Sequence, residues 1–389
     1  MATIGRLAAA TILVAATALV AACGTAGPGP VPMRSVLGPA ERVLNVLAWP
    51  GYAEDGSNNR SVNWVQPFRD LTGCQVEVKT FGTSDEAVSL MRTGQFDVVS
   101  ASGDASLRLI DAGDVQPINT ALVPSYSDIY PFLKGKPWNA KNGITYGVPH
   151  GWGANLLMYR TDVVRPAPTS WRAVFEDAPR YAGRVTAYDS PIYIADAALY
   201  LMRHRPDLGI TNPYALDRRQ FDAAVALLEE QRRAVGEYWN DIVREVQAFS
   251  AGWSVIGSTW QMAANLARDG GAPVATVLPD EGSTGWSDSW MISSRAEHPN
   301  CAYRWVDYIV SARVNARVAE YFGESPANAK ACELMRDRTH CAVYHSADPE
   351  YASHIWYWTT PMRDCVDGRK NVECVGYDGW SKAWLQIKG

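Results

Sequence analysis

Short apolar runs alternate along the chain with stretches in which apolar residues recur at helical spacing. Residues 44–49 predict a buried strand, residues 75–80 alternate as in a half-buried strand, and residues 96–99 predict a third strand. Residues 62–71 and 86–93, which lie between them, have helical periodicity. Further candidate strands are at residues 144–148, 156–159, 184–187, 255–259, 274–277 and 291–293. The alternation predicts an α/β protein with a mostly parallel sheet.

The first 22 residues have the three parts of an export signal. Arg6 is the only basic residue and precedes an apolar stretch at residues 7–20, which is too short to span a bilayer comfortably. Two alanines then precede Cys23. Residues 20–23 resemble the lipobox of bacterial lipoproteins, in which the cysteine is diacylated and becomes the new N-terminus. The alternative is an ordinary cleaved signal that happens to end before a cysteine.

Glycine and proline dominate the segment after Cys23. Residues 24–32 read GTAGPGPVP, a composition that cannot bury a core and is typical of a flexible, partly polyproline-like linker. We therefore expect a signal peptide at residues 1–22 and a lipid-anchored tether at residues 23–42. The expected location is the outer face of the bacterial cell membrane, in the periplasmic space. No later segment approaches membrane-spanning length, so the anchor is the only expected contact with the membrane.

The length and net charge of the chain limit the classes of function that it can have. The chain of 389 residues is long enough for two lobes after removal of the signal, and its net charge is −5. A phosphate-binding face needs clustered Lys and Arg, so nucleic acid is not an expected partner. The sequence has no CxxC pair, and His340 and His345 lack the usual zinc spacing. We expect neither a metal nor another cofactor.

The cysteines predict disulfides. Cys23 aside, six cysteines remain, which is an even number in an oxidising compartment. Many connectivities are possible for six cysteines, so spacing alone does not prove the pairing. The turn-rich residues 367–371 favour a local bridge around them, and the other pairs follow from that one. The expected pairs are Cys365–Cys374, Cys332–Cys341 and Cys74–Cys301.

Aromatic and acidic side chains flank several predicted strands. A doubly wound α/β protein binds its ligand at the carboxyl ends of strands. The residues concerned are Trp49, Tyr52, Ser102, Asp104, Asp189, Trp260, Trp286 and Asp288. Ring faces suit the methylenes and charge of an alkylammonium ligand, and carboxylates suit its N–H groups. With 15 Trp and 18 Tyr in the chain, several of these rings are expected in the core, and stacked Trp with Asp also suits a sugar.

Seven sequence blocks carry a family resemblance through their order and spacing. They are LNVLAWPGY at 44–52, FRDLTGCQVEVKTF at 68–81, GQFDVVSASGD at 94–104, YGVPHGWGANLLMY at 146–159, VIGSTW at 255–260, DEGSTGWSDSWMIS at 280–293 and VAEYFGESPANAKA at 318–331. From residue 43 to about residue 331 the chain resembles the spermidine/putrescine-binding proteins of bacterial ABC importers. These are extracellular solute-binding proteins with a type II periplasmic-binding fold, and the similarity is more divergent toward the end of the chain.

Seven family positions for the polyamine are retained, and five of them belong to three aromatic motifs. Trp49 and Tyr52 match the first Trp-x-x-Tyr pair, whose rings line the polyamine chain in the family. Trp260 matches the aromatic residue after the fifth strand. Trp286 and Asp288 keep the Trp-x-Asp pair. The resemblance implies that these side chains contact the ligand.

The other family positions are two matches and three replacements. Ser102 matches the family serine, but Asp104 stands where a tyrosine is expected. Asp189 matches an acid that grips an amine, whereas Tyr193 replaces a nearby glutamate. Glu324 replaces a family tyrosine. The resemblance therefore implies an anionic pocket with its charges moved and a cationic amine ligand, most simply a polyamine such as putrescine or spermidine. Diamines, guanidino compounds, other amino-bearing solutes and sugars remain alternatives.

The resemblance also implies an architecture and a mechanism. Two α/β lobes joined by hinge strands close on the solute in the cleft between them. The first lobe is expected at residues 43–149 and 289–335, and the second at 150–288 and 336–389, with a cysteine-rich C-terminal extension. The closed form is expected to dock, as a monomer, on an ABC permease driven by a cytoplasmic ATPase.

Catalysis has less support. The sequence has no GxSxG elbow, HExxH pair or P-loop. His150 is the best candidate for a catalytic base, but a hydrogen-bonded hinge residue explains it better. We expect no enzymatic activity. A secreted lipoprotein hydrolase and a sensory lipoprotein remain as alternatives.

Overall fold

The structure is a computed structural model that describes residues 31–389, so the predicted signal and Cys23 lie outside the described residues. The strands are β1 (Val43–Ala48), β2 (Gln75–Thr80), β3 (Val98–Ala101), β4 (Ala140–Lys141), β5 (Ile144–Thr145), β6 (Gly147–Arg160), β7 (Val185–Tyr188), β8 (Val235–Trp239), β9 (Ile256–Trp260), β10 (Val274–Val277), β11 (Ser283–Ile292), β12 (Ser325–Pro326) and β13 (Ile355–Tyr357). The helices are α1 (Val65–Thr72), α2 (Ser84–Met91), α3 (Gly103–Asp111), α4 (Ile194–His204), α5 (Arg218–Arg232), α6 (Ile242–Ala251), α7 (Gln261–Asp269), α8 (Pro299–Ile309), α9 (Ala312–Phe322), α10 (His340–Val343), α11 (Pro349–Ser353) and α12 (Tyr377–Lys388).

Eleven of the strands form one sheet, which has a group of parallel strands at each end. The order is β2-β1-β3-β11-β6-β9-β7-β8, with β10 and β12 beside β6 and β13 beside β11. Strands β2, β1 and β3 are parallel to one another, as are β9, β7 and β8. The long strands β6 and β11 pair antiparallel in the middle and connect the two ends. Each parallel end is therefore linked to the other through the same two strands.

The centre of the sheet corrects the prediction of a mostly parallel sheet. Residues 144–148 and 156–159 were expected as two strands, yet β6 is one strand of 14 residues, and β5 ends just before it. Gly151 and Gly153 interrupt the apolar pattern between the two predicted pieces. They lie in the strand because larger side chains from elsewhere pack against their Cα atoms.

Local sequence signals account for the ends of many helices. Helix α1 stops at Gly73, which has a φ of 75°, a conformation that glycine adopts without a Cβ penalty. Helix α5 begins with a capping box between Asp217 and Gln220. Helix α2 is capped by the Thr83 side chain, whose hydroxyl accepts from the Glu86 N–H at 3.1 Å.

Two large hydrophobic cores lie on either side of the central strands. The first includes Leu44, Phe68 and Trp305 and joins β1 to α1 and α8. The second includes Trp171 and Trp380 and joins β7 and β9 to α4, α5 and α12. Burying an aromatic side chain of this size stabilises the fold by about 2–3 kcal/mol. The lobe boundaries given above stay a prediction.

Three disulfides join the six cysteines in the expected pairs, Cys74–Cys301, Cys332–Cys341 and Cys365–Cys374. The first ties the start of β2 to α8 across 227 residues of sequence. Closing so long a loop lowers the entropy of the unfolded chain, which is worth about 2–5 kcal/mol. The other two each close a loop within the C-terminal region, with a sequence separation of 9.

The C-terminal segment crosses the middle of the molecule. Strand β13 pairs parallel with β11, and the backbone N–H of Trp358 donates to the Gly285 carbonyl at 2.7 Å. The Thr360 hydroxyl donates to the carbonyls of Gly103 and Asp104 at 3.1 and 2.9 Å. Helix α12 then returns to the second core. Among residues 31–389, no helix has both the length and the apolar character needed to cross a membrane.

Candidate functional site

Residues next to β1, α3 and α9, and one residue within β11, bring acidic and aromatic side chains together in the middle of the molecule. Trp49 and Tyr52 follow β1, Ser102 precedes α3, and Glu324 follows α9. Asp288 lies within β11, at the irregularity in its pairing with β6. The sequence separations are large, with 272 residues between Tyr52 and Glu324. The cluster therefore exists only in the folded chain.

Tyr52 bridges two buried carboxyl groups. Its hydroxyl oxygen lies 2.8 Å from Oδ2 of Asp288 and 2.7 Å from Oε2 of Glu324. Tyr52 and Glu324 are fully buried, and Asp288 is 3% exposed. The second oxygens of the two acids, Oδ1 of Asp288 and Oε1 of Glu324, are buried without a hydrogen-bond partner among the described residues. Each acid thus keeps one oxygen available for another donor.

The position of Glu324 depends on a glycine in the central strand. A Cβ at Gly151 would overlap the carboxyl group of Glu324, so a side chain there would displace the acid. His150, the preceding residue, lies with its Nε2 3.6 Å from Oε1 of Glu324 and packs edge-on against the Tyr52 ring. Burial lowers the pKa of His150 to about 3, so the imidazole is neutral and brings no positive charge to the acids.

Burial raises the pKa of each acid in the cluster because the charged form loses its hydration. Asp288 has its pKa raised to about 6 by desolvation, against the nearby Ser102 hydroxyl and the hydrogen bond with Tyr52, which lower it. Desolvation also raises the pKa of Glu324 well above its ordinary value, and the nearby Asp288 charge adds to the effect. These groups are costly to ionise without a cation beside them.

Asp104 is a third buried acid close to this pair. It is 1% exposed, and the Ser84 hydroxyl donates to its Oδ1 at 2.8 Å. Desolvation raises its pKa to about 6, and its charge in turn opposes ionisation of Asp288. On the same side, the Trp49 indole N–H donates to the Ser102 hydroxyl at 3.1 Å. This bond holds the Trp49 ring beside the start of α3.

Aromatic rings form a continuous row on the other side of the cluster. Trp286 lies edge-on to Trp260 with centroids 5.9 Å apart, and Trp260 lies 5.5 Å from Tyr188. Tyr188 stacks on Trp358 at 5.5 Å and 21°. The Trp286 ring occupies the space beside Gly153, where a Cβ would come within 2.7 Å of its Cζ2. The rings offer the faces that suit an alkyl chain or a cation.

A chain of hydrogen bonds that begins at the indole N–H fixes the orientation of the Trp260 ring. Its indole N–H donates to Oδ1 of Asn155 at 2.9 Å, and the Asn155 amide donates to the Thr284 hydroxyl at 2.7 Å. That hydroxyl donates to Oδ1 of Asp196 at 3.0 Å. The chain links both central strands, β6 and β11, to α4. Desolvation raises the pKa of Asp196 to about 7, while the Thr284 bond lowers it.

Two predicted site residues have their polar atoms engaged elsewhere. The Asp189 carboxylate accepts from Lys388 Nζ at 2.6 Å and from the Trp384 indole at 3.0 Å, both on α12. The Tyr193 hydroxyl accepts from the Gln231 amide at 3.0 Å, and its ring is buried in the second core. A contact of either residue with ligand stays a prediction.

Sequence reasoning did not select three residues that the fold brings to this region. Tyr188 stands directly before the predicted Asp189, so the strand-end rule was off by one residue. Trp358 lies in the C-terminal segment, where an aromatic residue is ordinarily expected to pack in the core. Asp196 had no signal, because a single acid in a helix is ordinarily on the surface.

The cluster is closely packed. The cavity beside Trp260, Trp286 and Glu324 has a volume of about 20 Å³, enough for one water molecule. A larger cavity, of about 680 Å³, lies between α3 and the start of α12. Arg108 and Arg363 are in its wall, so its charge does not suit a cation. Entry of a ligand to the acids therefore requires the packed groups to separate.

Comparison with known proteins places this geometry in a family. Residues 63–338 match the model of the family described as bacterial extracellular solute-binding protein. The chain is 24% identical over 296 residues to the spermidine/putrescine-binding periplasmic protein of Escherichia coli, covering 73% of this chain and 81% of that protein. It is 28% identical over 302 residues to the putrescine/agmatine-binding protein of Pseudomonas aeruginosa, covering 72% and 79%.

Solved structures show the same fold. A putative spermidine/putrescine ABC transporter protein from Listeria monocytogenes superposes with a TM-score of 0.70 at 18% identity, covering 89% of this chain and 99% of that one. The α/β fold in two lobes expected from the sequence is thus confirmed. The protein belongs to the family of bacterial extracellular solute-binding proteins.

Proposed function

We propose that this protein captures a cationic amine, most simply a polyamine of the putrescine or spermidine type, and delivers it to an ABC permease with a cytoplasmic ATPase. One observation carries the proposal. Asp104, Asp288 and Glu324 are buried together, and no Lys or Arg nitrogen within residues 31–389 lies within 4.0 Å of their oxygens. A bound cation supplies the missing counter-charge.

The chemistry around the acids fits an amine. An ammonium group can donate to the two carboxyl oxygens that have no partner in the described chain, Oδ1 of Asp288 and Oε1 of Glu324. The aromatic row from Trp286 to Tyr188 offers ring faces to the methylenes. Each desolvated cation–π contact contributes about 2 kcal/mol, and each charged hydrogen bond a similar net amount. A few such contacts give micromolar affinity when the site closes over the ligand.

The relatives support the same ligand class. Their names assign spermidine, putrescine and agmatine, all of which are cationic amines, to proteins that share the fold with this chain. We extend this to a cycle in which the two lobes hinge about β6 and β11 and the closed form meets the permease as a monomer. The lipid anchor at Cys23 belongs to this proposal, because a tether keeps the receptor at high local concentration beside the permease.

Calorimetry and thermal unfolding test the proposal. Spermidine, putrescine and agmatine are titrated into the wild-type protein, with glucose as the neutral comparison. We expect an amine to bind and to raise the melting temperature, because it stabilises only the folded state. Asp288→Asn should abolish the shift, whereas Asp280→Asn, which changes an exposed acid near β11, should retain it. A shift with glucose and none with any amine would overturn the amine assignment.

A further inference from the structure

The number of hydrogens at the Tyr52 hydroxyl limits the charge of the acid pair. A phenol has one O–H hydrogen, and an ionised carboxylate can only accept. Yet the Tyr52 oxygen lies at hydrogen-bond distance from two carboxyl oxygens, 2.8 Å from Asp288 and 2.7 Å from Glu324. The phenol can donate along one of these contacts. The hydrogen in the other contact must come from the carboxyl group itself.

Two ionised acids would leave one contact without a hydrogen. Lone pairs of two oxygens would then face each other at less than 3 Å in a site without water contact, which is costly because neither atom has hydration to compensate. The Tyr52 phenol cannot remove the problem by ionising, since desolvation and both acids raise its pKa well above the ordinary value. One of the two acids is therefore a neutral carboxylic acid in this arrangement.

Glu324 is more readily protonated than Asp288. It is fully buried, while Asp288 is 3% exposed and is also stabilised as a carboxylate by Ser102. No basic charge compensates it, because the nearest histidine ring, at 3.6 Å, is neutral. Titratable groups face Glu324 from the β1 loop, β6, β11, α10 and the segment after α10. They are Tyr52, His150, Asp288, His340, whose ring bonds the Glu324 carbonyl, and Tyr344.

We propose that Glu324 carries a proton in the ligand-free protein and releases it when the site takes up an ammonium group, so that amine capture exchanges one proton for one ligand charge. This inference rests on the proposed function. The amine arrives already protonated, since alkylamines titrate near pH 10. Its N–H groups then donate to the Glu324 carboxylate, and the Glu324 proton passes to the solvent. No bond of the amine forms or breaks.

The exchange makes affinity depend on pH. Below the pKa of Glu324 in the ligand-free site, a proton competes with the amine, so binding strengthens by up to about tenfold for each unit of increase in pH. Above that pKa the acid is already ionised and the dependence disappears. A neutral solute would not displace the proton. Protonated Glu324 also lowers the cost of keeping the unliganded site closed, because only one acid of the pair is then charged.

Calorimetry in buffers of different ionisation enthalpy counts the protons. With putrescine and spermidine as probes near pH 7, we expect about one proton released per amine bound to the wild-type protein, and affinity that rises from about pH 6 to about pH 8. Glu324→Gln keeps a hydrogen-bond donor toward Tyr52 but cannot release a proton. It should bind more weakly, with no proton release attributable to this position and a flatter pH profile.

Glu245→Gln is the matched control. Glu245 is another fully buried acid whose pKa is raised well above its ordinary value by desolvation, but it lies on α6 and is not part of the cluster. This variant should keep the proton release of the wild type. Infrared difference spectra between the ligand-free and the amine-bound protein provide a second measurement. A protonated carboxyl band of the ligand-free protein should be lost on amine binding in the wild type and in Glu245→Gln, and this loss should be absent in Glu324→Gln.

The outcomes separate this inference from the proposed function. Amine binding with no net proton release in the wild type, or equal release in Glu324→Gln, overturns the proton exchange and leaves amine binding intact. Failure of every amine to bind overturns the proposed function and this inference with it. A ligand-free protein that lacks the Glu324-dependent infrared band also overturns the inference, whatever the calorimetry shows.

Discussion

The carbonyl oxygen of Trp358 lies against Cα of Gly103, in the space that a Cβ at position 103 would occupy. The carbonyl carbon of Trp358 would be only 2.7 Å from such a Cβ, and the Trp138 Cβ 3.0 Å from it. Gly103 begins α3, next to the buried Asp104, and Trp358 stacks on Tyr188 from the other end of the sheet. The C-terminal segment thus connects the two ends of the sheet and contacts the backbone of the buried Asp104.

Gly103→Ala should therefore displace the C-terminal segment. Backbone atoms block the new methyl group, so relief requires movement of the chain, and we expect a loss of about 2–4 kcal/mol in the free energy of unfolding. Amine affinity should fall at the same time. Gly82→Ala is the control, because a Cβ there makes only an ordinary contact with the Glu86 side chain. Denaturant unfolding measures the stability of both variants, and equal stability would contradict the placement of Trp358.

The contact between Asp189 and Lys388 predicts a structural effect. Because the Asp189 carboxylate already accepts from Lys388 and Trp384, Asp189→Asn should lower the free energy of unfolding by about 1 kcal/mol. Lys388→Met should have a similar effect. Amine affinity should change less than about twofold in both, compared with its loss in Asp288→Asn. A large loss of affinity in Asp189→Asn alone would show that this acid reaches the ligand, as the sequence predicted.

Asp196 predicts a pH dependence of stability. Its folded pKa of about 7 lies above the ordinary value of 3.8, so the folded state holds the proton more tightly than the unfolded chain. Its contribution to stability is complete below about pH 4 and is lost as the pH rises toward 7, by up to about 4 kcal/mol. Asp196→Asn still accepts the Thr284 hydroxyl but cannot ionise.

The wild-type protein should thus lose more stability than Asp196→Asn between about pH 4.5 and pH 7.5. Denaturant unfolding of the ligand-free proteins at several pH values gives the difference curve, in which the other buried acids cancel. Parallel pH profiles for the two proteins would contradict the assignment. Weaker amine binding by the variant would indicate that the chain from Asp196 to Trp260 also positions the ring.

Cys23→Ser should release the protein from the membrane fraction of its host. Serine cannot accept the thioether-linked lipid, so the protein should appear in the soluble periplasmic or extracellular fraction and lose incorporation of labelled fatty acid. Cys332→Ser, which changes a cysteine of a disulfide in the C-terminal region, should leave membrane retention unchanged. Retention of Cys23→Ser in the membrane would contradict the lipid anchor.

Patterns of neighbouring residues were enough to find most of the sheet. Residues 75–80 and 274–277 were predicted with the bounds that β2 and β10 have. The central strand β6 was divided by prediction because Gly151 and Gly153 weaken the apolar pattern. These two positions require glycine because the carboxyl group of Glu324 and the ring of Trp286, which are distant in sequence, occupy the space of a Cβ. A periodicity argument has no access to such contacts.

The sequence predicted the residue types of the site better than their arrangement. Trp260, Trp286 and Asp288 were selected as residues near strand ends, and they do lie close together around the buried acids. Asp189 was selected by the same rule, yet α12, some 200 residues later, holds its carboxylate. Trp358 was not selected, because an aromatic residue in a tail gives no sign of the surface it will cover.

The sequence by itself determined the alternation of strands and helices and the chemical character of the site, because these depend on neighbouring residues or on composition. It also predicts an export signal, and it favoured the local bridge Cys365–Cys374, which closes a turn-rich loop. Only the tertiary structure decided that Tyr52 stands between Asp288 and Glu324. Contacts across 236 and 272 residues form only when the ends of β1 and α9 come together with β11, and the burial that follows sets the charge of these acids. Residue type supplies a carboxyl group, whereas its protonation depends on what surrounds it.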